Sequence, residues 1–574
     1  MIVLGVADNH DAGAALVIEG RPVAAVNQER VSRVKNAGGF PRGAIDATLA
    51  AAGVRPGDVD RVVFGTAFTP SLALRALPGW HAERRHDGQF SPLLHAYIVY
   101  QSALQKSGLH ALEIDACKAL LRRKLRDMRF DAADVRMMDH HEAHAQGAYR
   151  TSGMADALVL TVDGMGDGTS ATAWLGQGGE LLPLWRQSGL ACINTFYSRV
   201  TELLGFTPIR HEGKVTGLAA LAEPPAALLA HLRQRIAFDG AAFRRMDPLR
   251  PDRADDPWWA ELRRWPREEL AAAAQRLLEE VVCAFVQRWC RKTGQRQVAV
   301  AGGAFANVRL NQRVAELPEV DALWVCPHMG DGGLALGAAL GSIGAAPDHL
   351  PHVFLGPEFS ARDLVKALGR GGLRFDEAGA TTSPGGVRGD VERVAALLTA
   401  GKVVGRFDGR MEWGPRALGH RSVLAAASDP AITGRLNERL RRSDFMPFAP
   451  LVREEDALRF FPGIGPVRDA ARFMTVCADA SPELRRLAPA GVHVDGTARP
   501  QLVSAEVLPE LHALLGRMDA LTGAPVLLNT SFNLHEEPIV CTPSDAVRAT
   551  VEAGLEALWM GPYVAAPMGA AAKA

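Results

Sequence analysis

At 574 residues with 48% hydrophobic content, the chain is long enough for two or more packed domains. Its formal net charge is zero, which leaves no electrostatic footprint for a nucleic-acid polymer or an anionic membrane. No uninterrupted apolar run reaches bilayer length. The cysteines are dispersed with no Cys-x-x-Cys pair, and the first residues lack a signal-peptide pattern; both features predict a reducing, cytoplasmic setting. Cys283 and Cys290, in a helical pattern, read as core.

The chain opens with a strand pattern, Ile2 to Val6, that ends in the acidic turn Asp8-Asn9-His10-Asp11. Further strands at Ala14 to Ile18 and Pro22 to Val26 predict a β-meander. The unit recurs: Ala157 to Val162 runs into Asp163-Gly164-Met165-Gly166-Asp167-Gly168, followed by a second strand, Thr169 to Leu175. Duplication of strand, Asp/Gly turn and strand is how the actin-like α/β architecture is built. Residues 68–130, with His81, His86 and His95, read as a helical insertion, and residues 224–291, with the exposed-looking pair Trp258-Trp259, as a second. Each either caps a cleft or simply packs. A β-α pattern resumes at Gln297 to Ala301, then Gly302-Gly303, and a strand at Ala322 to Cys326 leads to Gly330-Asp331-Gly332-Gly333. A linker over 346–358 divides an N-terminal domain, 1–345, from a second α/β domain, 359–574, whose alanine-rich end reads as frayed.

In the run Asp139-His140-His141-Glu142-Ala143-His144, a helix would place His140 and His144 on one face. Two imidazoles so placed can hold a divalent metal with carboxylates beside them. Asp331, on a strand-to-helix turn, is the leading third ligand, although such an aspartate can also cap its helix; Asp163 is another. Imidazole and carboxylate ligands suit Fe(II), Mn(II) or Zn(II). Gly164 to Gly168 and Gly302-Gly303 follow apolar strands, where glycine N–H groups can approach phosphate oxygens; an ordinary tight turn is the plainer alternative. There is no Walker-type P-loop. Lys214, rare in this arginine-rich chain, sits between glycines in what reads as a loop.

In the second domain, the strand Lys402 to Phe407 feeds a loop that carries Arg410, Arg416, His420 and Arg421, side chains able to converge on an anion. Asp429-Pro430 then starts a helix that ends at Arg441-Arg442. A buried strand at Pro525 to Leu528 ends in Asn529-Thr530-Ser531-Phe532-Asn533, a polar run of site-like composition.

Taken together, Asn9-His10-Asp11-Ala12, Asp139 to Ala145, Val162 to Gly168, Gly213 to Ala219, Gly330 to Gly333, Gly414 to Ser422, Asp495 to Gln501 and Leu528 to Asn533 resemble the NodU/CmcH family of O-carbamoyltransferases over nearly the whole length. The resemblance implies an N-terminal Kae1-like domain of actin-like fold and a C-terminal YrdC-like domain. It implies that the second domain converts carbamoyl phosphate and ATP to carbamoyl adenylate, and that the first moves the carbamoyl group to a small-molecule hydroxyl with release of AMP. By the same resemblance Arg416, Arg421, Arg442, Arg499, Ser531 and Asn533 surround carbamoyl phosphate and the ATP phosphates. His140, His144, Asp331 and Asp163 hold the metal, with Fe(II) the leading choice. Asp163, Gly164, Gly166, Asp167, Gly302 and Gly303 hold the adenylate, with Lys214, Asn307, His420, Asn529 and Thr530 completing the nucleotide contacts. His10 is the candidate acid/base group at the acceptor hydroxyl.

The chain departs from the family at Ser443, where many relatives carry an acidic residue after the arginine. Two further readings stand beside the carbamoyltransferase: an enzyme that carbamoylates tRNA or protein, and a non-enzymatic actin-like nucleotide switch. Neutral charge and the lack of zinc-ribbon cysteines weigh against the former, and the arginine-rich second domain against the latter. The expected partners are a nucleotide and a small hydroxyl acceptor, with no nucleic-acid polymer and no membrane, for a monomer or homodimer.

Overall fold

The structure, a computed structural model, describes residues 1–77, 92–246, 256–378, 388–441 and 447–567. Arg442, Ser443, His81, His86 and the 568–574 tail lie outside the described residues, as does the side chain of His95. The chain forms two compact units: residues 1–28 with 36–350, and residues 29–35 with 351–574. The assignment of residues 29–35 to the C-terminal unit was not foreseen, because it depends on contacts some 380 residues away in sequence, such as Arg30 to Gly414.

In the first unit, β1 (Ile2–Ala7), β2 (Gly13–Ile18) and β3 (Arg21–Asn27) form an antiparallel meander. β4 (Arg61–Phe64) and β5 (Asp134–Met137) add to β1 in parallel, giving the order β3-β2-β1-β4-β5. The second sheet repeats this plan. β6 (Ala157–Gly166), β7 (Thr169–Gln177) and β8 (Glu180–Ser188) form the meander. β11 (Gln297–Ala301) and β12 (Ala322–Val325) join β6 in parallel, giving β12-β11-β6-β7-β8. Between the two halves of this sheet lies the second insertion, which carries a small hairpin of β9 (Ile236–Phe238) and β10 (Phe243–Arg245) besides helices Ala226–Arg233, Pro257–Leu262 and Arg267–Thr293. Matching strand orders make the unit a duplicated, actin-like α/β fold.

Small residues let the layers approach closely. A side chain at Gly5 of β1 would strike the Ala335 carbonyl of helix Leu334–Ser342, and one at Gly337 of that helix would strike the Ala143 carbonyl of helix His140–Ser152. The small-residue run Leu334 to Gly341 therefore serves as a tight packing face. Trp258 and Trp259 are not exposed: Trp259 is fully buried against Phe196, and Trp258 stacks on His231 with ring centroids 4.8 Å apart.

The second unit is built on an eight-stranded mixed sheet. Its centre is β13 (Val404–Phe407) beside β14 (Arg421–Ala426) and β15 (Val526–Ser531). The expected helix after Asp429 begins later, at Ile432, because Asp429 Oδ1 accepts from the Ala431 amide and so closes a turn ahead of the helix.

A candidate metal centre and an arginine-lined loop

Helix His140–Ser152 starts where Asp139 caps it, accepting from the His141 and Glu142 amides. With the start so set, His140 and His144 point the same way and are almost fully buried. Their Nε2 atoms lie 3.0 and 2.9 Å from Asp163 Oδ2, and 3.6 and 3.5 Å from Asp331 Oδ1. The four ligand atoms fall within 4.8 Å of one another. Ligands about 2.0–2.2 Å from one ion stand roughly 3–4 Å apart, so these two nitrogens and two oxygens fit a divalent metal.

The electrostatics have the same origin. Burial opposes a charge on His140, but Asp331 and Asp163 raise it to about 9. Burial likewise works against charging His144, and hydrogen bonds to the same carboxylates raise it. Burial would raise Asp163, but the two imidazoles hold it well below the ordinary carboxylate range. Asp331 is raised by burial and by the Asp163 charge.

Each carboxylate is anchored by its other oxygen or by outer partners. Asp163 Oδ1 accepts from the amides of Gly164 at 2.7 Å and Gly303 at 3.0 Å. Asp331 Oδ2 accepts from Asn9 Nδ2 and from His10 Nδ1, both at 2.8 Å. The turn that carries Asn9 and His10 is itself fixed by a buried bidentate pair, Arg75 to Asp8. Asp331 thus faces the cluster instead of capping a helix. His141, between the two candidate ligands, points away: its ring nitrogens contact Thr161 Oγ1 and the Thr169 carbonyl.

The glycine-rich runs differ from expectation. Gly164 and Gly166 lie in β6 itself, at a register shift, and Asp167-Gly168 is a two-residue hairpin turn with φ of 47° and 75°. The Gly164 and Gly303 amides, expected to reach phosphate, are turned onto Asp163. The Asp167 carboxylate, expected near the adenylate, accepts from the amides of Ala67, Phe68, Thr69 and His140. It therefore staples the first insertion to the ligand helix. Gly302, with φ of 104°, sits where any side chain would strike the Val162 carbonyl. Lys214 lies on helix Glu212–Ala219 rather than in a loop, with Nζ 6.0 Å from the Phe206 ring centroid. Asn307 caps helix Val308–Ala315 and bonds Gln275 and Thr216.

In the second unit Arg416 and Arg499 lie close enough that the charge of Arg499, helped by burial, lowers Arg416 to about 9. Two guanidiniums brought together in this way make a site that favours an anion. Arg421 is used differently. It is fully buried, it stacks on Phe407 at 3.7 Å, and its donors go to the carbonyls of Asp408, Gly409 and His420. It shapes the loop, and its guanidinium is occupied by backbone. Burial lowers His420, which stacks on Phe354 at 3.8 Å with Nδ1 on the Arg410 carbonyl.

Glu412, an acidic residue within an arginine-rich loop, organises its neighbours. Its Oε1 accepts from the amides of Leu418, His420 and Arg421. Asn529 donates to the Ala417 carbonyl at 3.0 Å and to Gln501, which in turn holds the Leu418 carbonyl. Thr530 lies beside it on β15. Ser531 Oγ donates to Asn533 Oδ1, whose own amide ties down Leu534 and Glu537. Sequence reasoning missed Asn9, Arg75 and Glu412 as site-builders. The available signal was placement: Asn9 adjoins His10, and Glu412 is the carboxylate amid Arg410, Arg416 and Arg421.

A repeated α/β lobe that gathers two imidazoles and two carboxylates on one point defines a metal-competent actin-like protein. Family models described as carbamoyltransferase N-terminus and carbamoyltransferase C-terminus match residues 2–340 and 395–566. The chain is 30% identical over 619 residues to the uncharacterized protein sll1178 of Synechocystis sp., covering 98% of this chain and 96% of that one. It is 31% identical over 573 residues to nodulation protein NolNO of Sinorhizobium fredii, covering 97% and 78%. Among solved structures, component A of the Acidaminococcus fermentans (R)-2-hydroxyglutaryl-CoA dehydratase covers 59% of this chain and 96% of its own at 14% identity and a TM-score of 0.34, too low to inform the fold. The chain belongs to the carbamoyltransferase family, and its activity at that level is carbamoyl transfer. Among the described residues no helix is long and apolar enough to cross a membrane.

Proposed function

We propose that this chain is an ATP- and carbamoyl phosphate-dependent O-carbamoyltransferase acting on a hydroxyl of a small-molecule natural product. The C-terminal unit forms carbamoyl adenylate, releasing phosphate and pyrophosphate with one water consumed. The N-terminal unit transfers the carbamoyl group to the acceptor oxygen and releases AMP. Both substrates of the first step concentrate phosphate charge, and the paired guanidiniums of Arg416 and Arg499 suit its neutralisation.

The observation that carries the transfer step is the His10–Asp331 pair. His10 is 43% exposed, and its Nδ1 lies 2.8 Å from Asp331 Oδ2. Donation from Nδ1–H fixes the tautomer and leaves Nε2 with a lone pair that can accept the acceptor hydroxyl's proton. His140, His144, Asp163 and Asp331 would hold a divalent metal, Fe(II) foremost, which supplies Lewis-acid stabilisation of developing oxygen charge when bound. His10 and Asn9 orient Asp331 from outside the cluster.

The test is release of phosphate, pyrophosphate and AMP from ATP and carbamoyl phosphate with Fe(II), first without and then with candidate acceptors: an amino sugar, a macrolide, an ansamycin, a β-lactam and a nodulation oligosaccharide. Pyrophosphate that needs both substrates supports the adenylating step. His10→Ala should keep pyrophosphate release and lose acceptor-dependent AMP. No pyrophosphate with any acceptor would overturn the proposal.

A further inference from the structure

The C-terminal unit includes a piece of chain from the other end of the sequence. Residues 29–35 belong with residues 351–574, while strand β3 before them and residues 36–350 after them belong to the duplicated lobe. We propose that this short strap is a clasp for the two loops carrying the expected anion ligands, with Arg30 and Arg33 as positioning residues. The inference rests on the reading that this unit binds phosphate groups.

Arg30 is 1% exposed. Its Nη1 donates to Glu29 Oε1 at 2.6 Å, and its Nη2 to the Gly414 carbonyl at 2.8 Å. Gly414 stands two residues before Arg416 and adopts φ of 120°, a region open to glycine, so its own backbone preference does little to fix the direction of that carbonyl. A buried guanidinium, neutralised by its neighbour Glu29, does so from outside. Arg33 makes the matching contact on the other loop. Its Nη1 donates to the Ile539 carbonyl at 2.7 Å and its Nη2 to the Pro538 carbonyl at 2.9 Å. That segment continues directly from Asn533, whose Nδ2 donates to the Glu537 carbonyl at 2.8 Å. Consecutive turns of the strap therefore hold the approach to Arg416 and the segment that secures Asn533. Arginine suits the task because its rigid planar fork presents two separate nitrogens to two acceptors, where an ammonium must serve both from a single flexible point.

The role differs from general packing in what it moves. Misplaced loops weaken anion binding more than they slow a turnover that has begun, so KM for carbamoyl phosphate should respond before kcat. The full-length chain would carry Arg33→Ala, Arg33→Lys or Arg30→Lys. The readouts are kinetics of carbamoyl phosphate-dependent pyrophosphate release and amide exchange of segments 412–421 and 533–541. Arg33 is 27% exposed and also pairs with Asp545 at 3.7 Å, so Arg33→Ala should lower the thermal midpoint modestly while the chain stays folded. Arg33→Ala should raise KM about tenfold, the loss expected for hydrogen bonds from a charged donor, with a smaller fall in kcat and faster exchange in 533–541. Arg33→Lys should recover part of the KM, and Arg30→Lys should speed exchange in 412–421. Wild-type KM and exchange in Arg33→Ala and Arg30→Lys would overturn the clasp. If the wild type releases no pyrophosphate, the functional reading fails separately, while exchange alone still decides the clasp: locally faster supports it, unchanged refutes it.

Discussion

Gly166→Ala isolates the packing that makes the metal-ligand cluster possible. A methyl group at this position would lie 2.0–2.4 Å from Cγ, Cδ2 and Nδ1 of His140, far inside contact distance. To restore an ordinary carbon contact of about 3.5 Å the ring must retreat by about 1.5 Å. His140 is 1% exposed, with the His141 and His144 rings at centroid distances of 5.3 and 4.8 Å, so it has little room to do so. Overpacking of this kind costs about 1–3 kcal/mol. The effect on metal binding should be larger, because ligand distances tolerate only about 0.2 Å. Even outer-shell changes lower metal affinity roughly 10–100-fold, which sets the minimum expected for a displaced ligand. Gly164→Ala is the control: two residues earlier on the same strand, an added Cβ meets nothing within 4 Å. Titration of Mn(II) or Zn(II) by calorimetry, with thermal melts of the metal-free proteins, should show Gly166→Ala weakened in both and Gly164→Ala near wild type. Equal metal affinity in the two variants would refute the reasoning.

Other outcomes follow from the same geometry. Asp167→Ala removes the acceptor for four amides and should destabilise the first unit by about 3–5 kcal/mol in urea unfolding, with Asp167→Asn milder because one carbonyl oxygen remains; a wild-type midpoint for Asp167→Ala would exclude the staple. Glu412→Ala frees the amides of Leu418, His420 and Arg421 and should raise KM for carbamoyl phosphate, whereas Glu412→Gln keeps an acceptor and should come closer to wild type. His140 rises from 6.5 to about 9 in the folded protein, so the stability it contributes is complete below its unfolded value and is lost as pH rises through about 9. Metal-free protein should therefore melt lower at pH 9.5 than at pH 6.5. Saturating metal should flatten that slope, since a ligating imidazole is already neutral, and a flat metal-free profile would count against the cluster's charge state.

Local sequence determined a good deal of this protein. The spacing of His140 and His144 set them on one helical face once Asp139 capped the helix, and the repeated strand, Asp/Gly turn and strand announced a lobe built twice. Both signals are short-range, the first from the 3.6-residue period and the second from turn chemistry. What the glycines and charged groups do depended on partners far away in the chain. Gly164 and Gly303 lie far apart in sequence yet share one oxygen of Asp163, and so they anchor a carboxylate where their sequence context suggested a phosphate grip. Arg416 and Arg421 stand close together in sequence with the same chemistry. Tertiary structure alone put one beside Arg499 and wrapped the other in backbone carbonyls. Nothing local to Arg30 or Arg33 marks them as part of the C-terminal unit, because a guanidinium finds whichever carbonyl the fold brings to it. Residue type and spacing specify which chemistry is available, and long-range packing decides which atoms are left to perform it.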